Sequence, residues 1–79
     1  MAAKSKNIVG ERVKAARLKH NPPLTQDELS GRLSAVGVAI DRAGISKIEV
    51  GLRSVLDFEV KAFAKALGVS VVWLLGVKE

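Results

Sequence analysis

One local pattern recurs three times in this chain and fixes most of what it can fold into. An apolar residue, a capping residue and a second apolar residue occur at the same spacing in Leu24-Thr25 with Leu29, Ile40-Asp41 with Ile45, and Val69-Ser70 with Leu74. Thr, Asp and Ser so placed accept hydrogen bonds from the unpaired N–H groups of a helix's first turn, and the apolar pair staples that turn. Glu28, three residues after Thr25, completes a capping box. Each occurrence starts a helix, and their close succession demands short ones. No stretch alternates convincingly enough for a strand, so the chain is expected to be all-α.

The remaining boundaries follow from periodicity and breakers. Val9, Val13 and Ala16 recur on one helical face and predict a first helix over 7–19, broken by Asn21-Pro22-Pro23 because consecutive prolines remove donors and fix φ. The second helix is expected over 26–33, burying Leu29 and Leu33, with Ser30 and Gly31 small enough for a neighbouring helix to approach. A connection over 34–40, with Gly37 as its left-handed residue, leads to a third helix over 42–50 that buries Ile45 and Ile48 and stops at Gly51. Gly44 inside it costs roughly 1 kcal/mol relative to Ala, which implies a close approach there. Asp57 is expected to cap a fourth helix, with Val60, Phe63, Ala64 and Leu67 as its buried stripe and Glu59 in its first turn. Ser70 caps a fifth, with Trp73 and Leu74 facing inward. The expected architecture is a compact five-helix domain spanning residues 1–79, with residues 1–6 as a flexible basic arm.

Seventy-nine residues lie near the lower limit at which an apolar core holds itself together. With no cysteine, disulfides and thiolate metal sites are excluded, and the lone His20 cannot build a metal site. The N-terminus carries no long apolar run, so neither a signal peptide nor a membrane span is expected, and the reading is cytoplasmic. An enzyme is not expected either: there is one His, no glycine-rich phosphate loop, and no carboxylate pair that helical spacing would bring into a cleft. No catalytic residue, metal, cofactor or small-molecule substrate is therefore assigned.

The net charge of +5 is unevenly placed. Residues 1–20 hold six Lys or Arg against one acid, whereas residues 21–79 hold seven of each sign. A positive field concentrated at one end points to a polyanionic partner, nucleic acid before membrane; a solvated basic tail would carry the same charge. Two short capped helices joined by a glycine-containing connection form the pattern of a helix-turn-helix. In it the second of the two helices must present short polar or basic side chains to the major groove. With Ile45 and Ile48 inward, Arg42, Ala43, Ser46 and Lys47 point outward. Arg and Lys can donate to guanine, Ser is adaptable, and Ala can meet a thymine methyl.

The stretches Gly10-Glu11-Arg12-Val13-Lys14-Ala15-Ala16-Arg17, Leu24-Thr25-Gln26-Asp27-Glu28-Leu29, Ile45-Ser46-Lys47-Ile48-Glu49-Val50-Gly51 and Ala64-Lys65-Ala66-Leu67-Gly68-Val69-Ser70-Val71-Val72-Trp73-Leu74-Leu75-Gly76 together resemble the XRE family, the group of lambdoid phage repressors and Cro. The resemblance covers residues 8–76. It implies a double-stranded DNA operator as partner, and a transcriptional regulator, a repressor, working as a weak homodimer. By the same resemblance Arg42, Ala43 and Lys47 match base-contacting positions, with Ser46 beside them. Gln26 and Arg53 match phosphate-contacting positions, and Ser54 is expected to meet the backbone next to Arg53. Arg17 and Glu49 match a charged pair that ties the first helix to the end of the third. The sequence departs from the family in a longer connection between the second and third helices, a longer junction at Asn21-Pro22-Pro23, and Val72 where an acid is frequent. Val71, Val72 and Val77 are the dimer-contact candidates. The alternative is a protein-interaction module on the same fold, such as an antitoxin or a coactivator-like adaptor.

Overall fold

The structure, a computed structural model, describes residues 4–77. Among them are five helices and no strand: α1 (Gly10–Lys19), α2 (Gln26–Ala35), α3 (Arg42–Glu49), α4 (Asp57–Leu67) and α5 (Val71–Leu74). The stapled starts explain three of them. Thr25 Oγ1 accepts the Glu28 N–H at 3.0 Å while Glu28 Oε1 accepts the Thr25 N–H at 2.9 Å. Asp41 Oδ1 accepts the Gly44 N–H at 2.7 Å, and Ser70 Oγ the Trp73 N–H at 3.0 Å. Leu24, Leu29, Ile40, Ile45 and Leu74 are all buried, with Val69 packed against the core.

The α2 and α3 helices pack together, α4 lies against α1 and α2, and α5 closes the end against α4 and α1. Phe63, Leu29, Leu33, Ile45, Ile48, Leu74, Val9 and Val13 are the largest fully buried side chains. They come from every helix and the approach to α1, so one apolar core serves the whole described region and sets the angle of α3.

Several boundaries differ from the sequence-based expectation, each for a local reason. The first helix begins at Gly10 and not at residue 7, because the Asn7 side chain takes the Val9 and Gly10 N–H groups at 3.1 and 2.7 Å. Asn competes with the helix for its own backbone in this way. The second helix continues to Ala35, leaving only 36–41 as connection, with φ +87° at Gly37. Asp57 is the first residue of α4 and not its cap. Leu56 holds the cap position, and Glu59 Oε1 accepts its N–H at 2.9 Å. Gly31 faces open space and admits no neighbour, while a Cβ at Gly44 would press on Ile40 Cγ2 and Asp41 Oδ1 at 2.9 and 3.1 Å. Trp73 is half-buried, its ring lying 5.0 Å from the Arg12 guanidinium and 5.8 Å from the Lys19 ammonium. Of the segment expected to be a loose arm, residues 1–3 lie outside the described region. Lys6 is tied down, its N–H donating to the Gly51 carbonyl at 2.8 Å.

Candidate nucleic-acid interface

The outward face of α3 is set by what holds its inward face. Beyond Ile45 and Ile48, its last residue Glu49 is buried and receives a two-pronged grip from Arg17 of α1: Nε to Oε2 at 2.8 Å and Nη2 to Oε1 at 2.9 Å. The third arm of the guanidinium donates to the Leu24 carbonyl at 2.8 Å, so one side chain joins α1, the approach to α2, and α3. Glu49 raises the Arg17 pKa further above its ordinary value through these hydrogen bonds, against the opposing effect of burial. A fork-to-fork pair of this kind resists rotation as well as separation.

A second fastening lies one turn away. Asn7 Nδ2 donates to the Ile48 carbonyl at 3.0 Å and to the Arg53 carbonyl at 2.8 Å. Gly10 sits so close to α3 that a Cβ there would collide with the Ile48 carbonyl oxygen. Gly51, at φ +81°, ends α3 and leaves room for Ser5, which a Cβ would strike. The α1–α3 crossing thus rests on backbone approach at Gly10, and the segment before α1 is seated by Ser5 over Gly51.

From the opposite side of α3, Arg42, Ala43 and Lys47 are exposed and Ser46 is half-buried. Arg42 reaches Asp27 at only 3.9 Å, with about seven-tenths of each side chain exposed, so solvent competes for both partners. Two clefts flank this face. One is lined by Thr25, Gln26, Asp27 and Arg42, and the other by Lys6, Asp41, Lys47, Arg53 and Ser54 among others. A helix whose outer face sets two long basic side chains beside two short ones, with a polar groove on each side, has the shape that a major groove and its two phosphate strands require.

The residues singled out from the sequence are not all idle in the free protein. Gln26 Nε2 donates to Glu49 Oε1 at 3.0 Å, attaching it to the buried pair. Arg53 lies in the loop after α3 and grips Glu59 with both terminal nitrogens, at 3.1 and 3.0 Å, and also donates to the Ser54 carbonyl at 3.1 Å. Arg53 holds the Glu59 carboxyl below the usual carboxylate range; burial opposes this and the Leu56 N–H adds to it. Ser54 is exposed. Val71, Val72 and Val77 are exposed on and after α5. Sequence reasoning passed over Asn7, Gly10 and Glu59 as parts of this frame. An Asn just before a helix is a visible capping signal, but nothing local marks Gly10 as a contact or Glu59 as the partner of Arg53.

A small all-helical domain whose third helix is held by a buried ion pair, and whose outer face is basic and grooved, defines a DNA-binding helix-turn-helix protein. The helix-turn-helix family model matches residues 13–74, from within α1 to the end of α5. The chain belongs to that family, in its XRE branch, a family of DNA-binding transcription regulators rather than of enzymes. Neither a curated protein nor a solved structure is found to match it. Among the described residues no helix is long and apolar enough to cross a membrane, and no three His, Asp or Glu could hold a metal ion.

Proposed function

We propose that the protein is a repressor that binds a specific double-stranded DNA operator as a symmetric homodimer, with α3 in the major groove. The observation that carries this reading is the outer face of α3 between its two polar grooves. Arg42 and Lys47 read guanine edges, Ala43 and Ser46 pack beside them, and Gln26, Arg53 and Ser54 hold phosphates on either side. Gln26 Nε2 spends one hydrogen on Glu49 and keeps the other for a phosphate oxygen, and the first-turn N–H groups of α2 lie beside it. Repression needs only occupancy of a site, which a compact reader supplies, and the four stretches shared with phage repressors point the same way.

One α3 reads few base pairs, so two copies on half-sites about 34 Å apart give the needed discrimination. Val71, Val72 and Val77 are 37, 41 and 58 % exposed and supply the pairing face. A second apolar set, Leu52, Leu56 and Phe58, is 61, 53 and 56 % exposed. It is the surface on which a protein-binding role, that of an antitoxin or adaptor, would rest.

Selection of duplexes from a random pool, followed by titration at several salt concentrations, tests the reading. Lys47→Ala and Arg42→Ala should each weaken the selected duplex by about 1–3 kcal/mol and relax preference at particular base pairs. Full discrimination in both variants would remove α3 as the reader. Val72→Asp should abolish cooperative binding to paired half-sites and keep single half-site contact. Cooperativity lost only in Phe58→Asp would move the interface to the other apolar set.

A further inference from the structure

The N-terminal segment runs directly beside the reading helix, and its placement is fixed by backbone contacts. The Lys6 N–H donates to the Gly51 carbonyl, and Ser5 passes over Gly51 at the only kind of residue that admits it. Asn7 then spends its whole side-chain amide on the frame, donating to Ile48 and Arg53 and accepting from Val9 and Gly10. The Lys6 side chain is exposed and lines the same cleft as Lys47, Arg53 and Ser54.

The charges in that cleft are unequally engaged. Arg53 is matched by Glu59, and the Asp41 carboxylate that borders the cleft is bonded to the Gly44 N–H at the start of α3. Among the described residues, Lys6 and Lys47 have no carboxylate within ion-pair distance. With Lys47 at the base-reading face, the unmatched Lys6 ammonium beside the Ser54 hydroxyl suits a singly charged tetrahedral oxyanion. Resting on the DNA-binding reading above, we infer that Lys6 is a phosphate-gripping residue of the interface: it holds a DNA backbone phosphodiester in the cleft it shares with Lys47, Arg53 and Ser54. The pinned segment makes this a fixed contact. A free basic arm would spread its charge over many positions and add only to the encounter rate.

The full chain, titrated against the selected duplex and a random duplex across a salt series, tests this. Lys6→Gln should weaken both duplexes by the same factor, roughly tenfold near 0.1 M salt, and lower the salt slope by about one unit. Lys6→Arg should keep the native slope, and Lys14→Gln, at an exposed lysine on α1, should change it by less than half as much. A native thermal melt for Lys6→Gln confirms that only the contact has been removed. If Lys6→Gln keeps the native slope while Lys47→Ala still loses the selected duplex, the role of Lys6 is overturned and the DNA-binding reading stands. If the native chain binds neither duplex, both fall together.

Discussion

At its C-terminal end α3 is held by a buried carboxylate, by Gly10 against the Ile48 carbonyl and Gly51 against Ser5, and by an Asn amide bonded to the Ile48 and Arg53 carbonyls. At its N-terminal end it is held by one Asp cap, and its first residue makes a long, solvent-exposed ion pair. Both ends lie within eight residues of one helix, yet they meet opposite requirements. In the proposed reading, a helix that contacts bases must arrive at a fixed angle, which demands a rigid anchor. Its contacting side chains must still leave whatever they touch in the free state and reorganise on a base edge. The exposed pair Arg42–Asp27 can be released at little cost because solvent already screens it. The buried pair Arg17–Glu49 cannot, because separating two charges that are 10 % and 3 % exposed strands at least one of them.

The largest test of this contrast removes one half of the anchor. Arg17→Ala leaves Glu49 buried with Gln26 as its remaining side-chain donor, which lowers the penalty without abolishing it. The expected cost is about 3 kcal/mol, or a fall of more than about 10 °C in Tm. The double replacement Arg17→Met with Glu49→Leu should recover much of it. A melt in which Arg17→Ala behaves like a surface change would show that the anchor is not electrostatic.

Gly10→Ala comes next, and here the sign decides. On an exposed helix the change would stabilise by about 1 kcal/mol. Because the new Cβ meets backbone and not a flexible side chain, α1 and α3 must shift apart, and a loss of about 1–3 kcal/mol is expected in chemical denaturation.

Acid sharpens the comparison further. Glu59 and Glu28 have pKa values held below the ordinary range, the first by Arg53 and the second by the Thr25 N–H and hydroxyl. A depressed carboxylate stabilises the fold above its unfolded pKa, and that contribution is lost as pH falls through its folded value. Stability should therefore decline between about pH 5 and pH 3, with a shallower decline in Glu59→Gln. Arg17 and Arg53, shifted upward from an already high value, stay charged throughout and give no such dependence.

The smallest effect belongs to the N-terminal end of α3. Asp27→Asn should move Tm by less than about 2 °C. It should strengthen DNA binding slightly, since it frees Arg42 and removes a charge that repels phosphate. A large stability loss would show that the N-terminal end of α3 is an anchor as well.

The elements that were legible in the sequence are those whose cause is local. The Thr25, Asp41 and Ser70 caps were visible because an N-cap and its staple lie within six consecutive residues, and the buried stripes followed from helical spacing. The start of α4 was misread by one residue, because the bond from Leu56 to Glu59 uses a backbone donor that leaves no trace in residue identity. Gly31 and Gly10 show the limit most clearly. Both are glycines in or at the start of a helix, yet Gly31 touches nothing while Gly10 lies against Ile48, far away along the chain.

By itself the sequence determined an all-helical chain, its division into five short helices, the faces they bury, and a resemblance sufficient to name the family. The tertiary structure alone decided how the candidate side chains are engaged. Arg53 is matched by Glu59, Gln26 belongs to the Arg17–Glu49 network, and Lys6 is drawn from the N-terminus to the end of α3. The reason is one of range. Helix initiation and amphipathic spacing depend on neighbours within one or two turns, whereas a charge is matched or left open by groups that only the folded core brings within a few ångströms.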